Sequence, residues 1–163
     1  MKFSVDVETQ KFNDHMKKFI KGANIEVGLG LKKFAFDLVR RIVLKNPVDT
    51  GRSRGAWYVG LEKLGGNIGD IPIHGPGGKG SDTYSTKEMA RGKMVGGFKD
   101  RTGKAYKQKW IEIINGVNYI TFLEYGSSQQ SPYGMVRVSM RELRQAKLPE
   151  VLKVRLQKEW KRI

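Results

Sequence analysis

The chain is 163 residues long, 39% hydrophobic, and carries 31 Lys and Arg against 16 Asp and Glu, a formal charge of +15; this suits one domain with a modest core and disfavours a second. With no cysteine, disulfide frameworks, thiolate nucleophiles and thiolate metal sites are excluded. Met1–Asp6 lacks the apolar region of a secretion signal and no uncharged apolar run is long enough to cross a bilayer, so a soluble protein assembled in the cytoplasm is expected.

Phe3, Val5 and Val7 alternate with polar neighbours, the period of a short half-buried strand. From Thr9 the pattern changes. Phe12, Met16, Phe19, Ile20, Ala23 and Val27 recur mostly at steps of three and four, and Phe34, Ala35, Leu38, Val39, Ile42 and Val43 widen the same helical stripe. Gly22, Gly28 and Gly30 interrupt it, each costing about 1 kcal/mol relative to Ala inside a helix. That predicts two helices, or one weakened between residues 22 and 30. Pro47 pushes Asn46 out of the helical region, so the helix ends near Lys45. Aromatic and branched residues over 56–62 predict a strand, as does the alternation over 109–117, and the two are expected to pair antiparallel. Between them, 65–108 holds 11 of the 20 glycines and little apolar periodicity, which predicts an extended hairpin or arm rather than a helical insert. A polar loop after Gly126 ends at Pro132. Val136, Met140 and Leu143, then Leu148, Leu152, Leu156 and Trp160, predict two short helices or one kinked helix, with Pro149 tolerated in a first turn. The expected class is α+β: a long N-terminal helical region and a C-terminal helix packed on a small antiparallel sheet, in a single domain of residues 1–163 with a long glycine-rich basic arm.

Catalytic signals are sparse. His15 and His74 are the only imidazoles, and neither has a second ligand at a metal-like spacing. Asp49 and Glu124 could serve as an acid–base pair only if the fold brought them together. Gly75–Ser81 is glycine-rich around Lys79 but lacks the spacing of a phosphate-binding loop. A chain with no enzymatic activity, no metal and no cofactor is the expectation, and a lysis hydrolase would need a catalytic constellation that is not visible. The basic excess is spread, with 13 basic and 7 acidic residues in 1–64, 9 and 4 in 65–109, and 9 and 5 in 110–163. It favours a polyanionic neighbour. Lys79, Lys87, Arg91, Lys93, Lys99, Arg101, Lys104 and Lys107 are the candidates to touch DNA or another subunit. A sequence-independent nucleic-acid-binding protein is thus an alternative, served by Trp57, Tyr58 and Trp110, although no helix-turn-helix, zinc-knuckle or aromatic RNA-binding signature is present.

Two segments are more specific. The first, Asn46-Pro47-Val48-Asp49-Thr50-Gly51-Arg52-Ser53-Arg54-Gly55-Ala56-Trp57, reads as a helix stop and a tight turn into a strand: Asp49 and Thr50 can bond nearby amides and Gly51 can take a positive φ. The second runs from Asn115 through Tyr119, Ile120, Phe122, Leu123, Glu124, Tyr125 and Gly126 to Pro132 and Arg137. Tyr119, Phe122, Leu123 and Tyr125 are expected in the core, Gly126 at a chain reversal. A buried Glu124 would need a backbone partner or one of Arg52, Arg54 and Arg137.

In this order, after a long helix, the two segments resemble the minor tail or tail-completion proteins of long-tailed bacteriophages, a family of head–tail joining subunits. That family carries a Pro-Val-Asp-Thr-Gly turn after its long helix and a later Asn-x-Val-x-Tyr-x-x-x-Leu-Glu-Tyr-Gly-Ser/Thr segment before a proline-containing approach to the C-terminal helix. Pro47–Arg54 and Asn115–Arg137 match those positions; the insertion over 65–108 is longer than the family's pattern. The resemblance implies a structural virion protein of the neck, located in the virion after assembly in the host cytoplasm. It also implies a ring of identical copies, hexameric or dodecameric, around the axial channel. Its implied partners are head-side adaptor or portal proteins, tail terminator or tail tube proteins, and packaged double-stranded DNA.

Overall fold

The computed structural model describes residues 9–70, 85–125, 133–145 and 148–162. Helix α1 spans Thr9–Lys45, α2 Arg52–Lys63, α3 Thr86–Val95, α4 Ile120–Glu124, α5 Val136–Gln145 and α6 Leu148–Arg162. Strands β1 (Gly96–Asp100) and β2 (Ile111–Asn115) form one antiparallel hairpin in which Phe98 faces Ile113 and Lys99 faces Glu112. The α+β class, with a long first helix and a small antiparallel sheet, is as the sequence implies. The strand expected over residues 3–7 lies outside the described residues.

Helix α1 is one continuous helix where two helices, or one weakened between residues 22 and 30, were expected, and Gly22 and Gly28 mark close approaches by other elements. A Cβ on Gly28 would come within 2.6 Å of the Thr102 carbonyl oxygen, and one on Gly22 within 2.3 Å of a Glu159 carboxylate oxygen on α6. The intrinsic cost of glycine is offset by what packs there. Helices α5 and α6 return antiparallel along α1. Arg41 and Lys45 both meet Glu142, at 2.8 and 2.9 Å, Glu26 meets Arg155 at 3.1 Å, and Phe19 stacks edge-on with Trp160 at 5.0 Å between ring centroids. Pro149 stands in the first turn of α6, where its missing N–H costs little.

The strand expected at 56–62 is instead α2. Its aromatic and branched residues fit a strand, but Trp57 and Leu61, four apart, and Tyr58 face a common core with Val39, Ile42, Val43 and Met135. Gly55, Ala56 and Gly60 make a bare face on the other side. A Cβ on Gly55 would meet the Met89 carbonyl oxygen at 2.3 Å, and one on Gly92 of α3 would meet the Arg52 carbonyl oxygen at 1.9 Å, so the two helix backbones nearly touch. Gly60 admits Ile113 of the hairpin in the same way. A two-stranded hairpin is marginal alone, and α2 is what covers it. The pairing partner of β2 is therefore β1, from within the 65–108 insertion. Of that insertion the described part holds a short 3-10 turn at Ile68–Asp70, then α3, which is helical where an extended arm was expected, then the first strand of the hairpin. Among the described glycines of the insertion, Gly66, Gly92 and Gly96 serve close packing.

Two consequences are measurable. In a free helix Gly→Ala stabilises by up to about 1 kcal/mol. Gly92→Ala should instead destabilise by about 3 kcal/mol or more in urea unfolding, because its methyl overlaps backbone that cannot move aside. Acid unfolding should depend on Glu142: Lys45 beside it, helped by Arg41 against an opposing burial effect, holds its carboxyl below the usual range. A carboxyl lowered in the folded state gives its full stabilisation above the ordinary carboxylate range and loses it as pH falls through the lowered value. Glu142→Gln should accordingly flatten the acid limb of stability against pH.

Candidate functional site

The two singled-out segments meet. At the end of α1, Asn46 and Arg54 are buried. The Arg54 Nη2 donates to the Asn46 carbonyl at 3.0 Å, the Ser53 hydroxyl donates to Asn46 Oδ1 at 3.0 Å, and Asn46 Nδ2 donates to the Pro47 carbonyl at 3.2 Å. From the second segment, Asn115 Nδ2 donates to the Ser53 carbonyl at 2.9 Å while its Oδ1 accepts from the Val117 amide at 3.1 Å. Gly51 has φ 88°, the left-handed conformation expected, and turns the chain into a helix rather than a strand. The Thr50 carbonyl accepts from the Ser85 amide at 3.2 Å, tying the turn to the approach of α3. Asp49 is exposed.

Two residues of the second segment act as helix caps from a distance. The first turn of a helix has amide hydrogens with no partner inside it, and Gly51 has no side chain to offer α2. The Tyr119 phenol bonds the backbone of Ser53 there. Glu124 does the same for α5: its carboxylate accepts from the amides of Met135 at 2.9 Å, Val136 at 2.7 Å and Arg137 at 2.8 Å, and from Arg137 Nε at 3.2 Å. An anion at a helix N-terminus also meets the positive end of the helix dipole. Arg137 further donates to the Glu124 carbonyl and lies 5.1 Å from the Tyr125 ring centroid. The approach is closed by Gly134, at φ 74°, where a Cβ would come within 2.2 Å of the Glu124 carbonyl oxygen. Of the three arginines considered for Glu124, Arg137 is its ion-pair partner.

Between the segments lies a cleft of about 420 Å³ lined by Pro47, Asp49, Thr50, Gly51, Arg52, Ser53, Glu88, Tyr119 and Leu123. Asp49 and Glu124 do not converge in it, since Glu124 is engaged at α5. Burial raises the Tyr119 hydroxyl above the usual tyrosine value, with Asp49 and Glu88 adding to the shift and the Ser53 amide and Arg52 opposing it. Leu123 packs against the core and Tyr119 is half-buried, but Phe122 and Tyr125, expected inside, are 61% and 71% exposed. The α4 helix is a single turn that lays Ile120 and Leu123 on the core, which leaves those two rings outside. Gly126 and Pro132 lie outside the described residues.

Of the basic candidates, Arg91 pairs with Glu88, Lys93 with Glu62 at 2.7 Å and Lys99 with Glu112 at 2.7 Å. Lys87, Arg101, Lys104 and Lys107 are exposed. Lys79, His74 and the glycine-rich stretch around them lie outside the described residues. His15 lines a small aromatic pocket with Phe12, Met16, Phe19 and Trp160. Among the described residues no group of three or more His, Asp or Glu is placed to hold a metal ion, and no helix is long and apolar enough to cross a membrane. The buried Asn46, Ser53 and Arg54, joined by the half-buried Asn115, form one polar knot that was not expected from the sequence. The signal was present: Arg54 precedes Trp57, Tyr58 and Leu61 by three, four and seven residues, which puts it on the buried face of a helix once α2 is read as one.

Glu124→Gln should cost about 2–3 kcal/mol in thermal or urea unfolding, since a carboxylate facing three amides and a guanidinium is replaced by a neutral group. Tyr119→Phe should cost about 1 kcal/mol at neutral pH. The raised Tyr119 hydroxyl favours the neutral phenol in the folded state, so its contribution is full below about pH 10 and is lost as pH rises through the folded value; stability of the phenylalanine variant should fall less steeply in that alkaline range. No protein-family profile, no curated protein and no solved structure matches this chain.

Proposed function

We propose that this protein is a non-enzymatic structural subunit of the neck of a tailed bacteriophage, joining the DNA-filled head to the tail. The observation that carries the reading is that the two segments resembling head–tail joining proteins lie against each other, with the polar side chains at their contact committed to backbone groups or to one another. Asn46, Ser53, Arg54, Asn115, Tyr119 and Glu124 each hold a turn or a helix end. Residues so engaged shape a surface and leave little for covalent chemistry.

That surface has apolar anchors. Phe122, Tyr125 and Tyr133, the last 79% exposed, flank the Glu124 contact on both sides. Exposed aromatic groups of this kind are typical of protein–protein contacts. Copies joined head to tail through two different patches close into a ring when their rotation closes, and each subunit gains stability from the faces it buries. In this reading the subunit meets its own copies, the head-side adaptor or portal, and the tail terminator or tube.

Electron microscopy of lysates from a phage lacking this gene tests the reading. DNA-filled heads lying apart from finished tails are expected, and normal virions in normal yield would refute it. Complementation with a Phe122→Ser, Tyr125→Ser, Tyr133→Ser variant should give a chain whose stability stays within about 1 kcal/mol of the parent but which restores no joined particles.

A further inference from the structure

The loop that closes the hairpin is strongly basic. Residues 101–111, Arg-Thr-Gly-Lys-Ala-Tyr-Lys-Gln-Lys-Trp-Ile, include four basic residues and no acid. The loop is ordered from within. The Arg101 amide donates to the Trp110 carbonyl at 2.9 Å, and Lys109 Nζ donates to the carbonyls of Thr102 and Gly103 at 2.8 and 2.9 Å. Its base is pinned to α1, where Lys32 meets Asp100 at 2.8 Å and Gly28 receives the Thr102 carbonyl. Asp100 also accepts from the Thr102 amide and hydroxyl, at 2.8 and 2.6 Å, so the nearest carboxylate is already engaged.

The guanidinium of Arg101 lies over two rings, 5.2 Å from the Tyr106 centroid and 5.5 Å from that of Trp110. Cation–π contact fixes the plane of the guanidinium without consuming its N–H donors. Lys104 and Lys107 are exposed on the same loop, and none of the three cations has an acidic partner among the described residues, in contrast to Lys93 and Lys99 on α3 and β1. We infer that this hairpin tip is a seat for the phosphate backbone of double-stranded DNA, gripped without regard to sequence by Arg101, Lys104 and Lys107. A preset guanidinium with two exposed lysines on the same loop suits a closely spaced row of phosphates. Single-stranded nucleic acid is a poorer fit, because Arg101 already covers one face of each ring and so leaves fewer faces on which bases can stack. The neck reading supplies the source of the DNA, packaged in the channel, and the inference rests on it only for that.

The test uses the purified chain and fluorescence anisotropy with two labelled duplexes of unrelated sequence across a salt series. Equal affinity for both duplexes is expected. Replacing Arg101, Lys104 and Lys107 by Gln should reduce the slope of log K against log salt by about 2.7, which is roughly 500-fold weaker binding at about 0.1 M salt. A control that removes the same charge from exposed positions on α6, Lys153→Gln, Lys158→Gln and Lys161→Gln, should lose far less. Circular dichroism should give the same unfolding midpoint for all three proteins. No duplex binding by the parent even at low salt, an equal loss in the control, an unchanged tip variant, or tighter binding to a single strand would each overturn the inference. Because binding is read on the isolated chain, it can fail while head–tail joining stands, and the reverse.

Discussion

A guanidinium that is 1% exposed lies where the longest helix stops. Withdrawing a charge from water costs several kcal/mol unless it is paired or hydrogen-bonded, so the surroundings of Arg54 have to be built around it. The Asn46 carbonyl is suited to the role. It follows the last turn of α1, where carbonyls lack helical partners and the dipole is negative. Holding it brings α2 against the end of α1, and everything else is arranged on α2: α3 through paired glycines, the hairpin through Gly60, and the end of β2 through Asn115. The apolar core of Val39, Val43, Tyr58, Leu61 and Met135 then fills the angle so formed.

How much of this could be read in advance differs by element. The end of α1 was legible because Pro47 stops it, and its helical spacing was too, but its continuity over 37 residues was not, since Gly22, Gly28 and Gly30 argue locally for an interruption. The nature of α2 was not, since Trp57, Tyr58 and Val59 satisfy a strand as well as a helix, and only the partner surfaces settle the choice in favour of the helix. Glycine misled for a similar reason. Local propensity counts it as a breaker, yet at Gly22, Gly28, Gly55 and Gly92 its value lies in admitting a neighbour, and that neighbour is distant in sequence.

The site divides along the same line. Gly51 and the need of Glu124 for a partner followed from residue chemistry alone, because a positive φ and a carboxylate among aromatic groups each restrict what can surround them. That Glu124 caps α5 and Tyr119 caps α2 did not follow, since a cap drawn from elsewhere in the chain leaves no local pattern. The expectation that Phe122 and Tyr125 are buried failed because hydrophobicity says that a ring is to be covered, without saying whether this chain or another one covers it.

One further consequence concerns α1. Its core contacts are concentrated near Ala35, Val39 and Val43, and from Val39 back to Thr9 the helix runs about 45 Å at 1.5 Å per residue. Helix α6 lies along that stretch and stiffens it. For a pair of that length, each degree of tilt at the core would displace the far tip by roughly 0.8 Å, so ten degrees would become about 8 Å. A change small enough to leave the Arg54 knot intact would thus be amplified into a displacement larger than a side chain at the tip of α1.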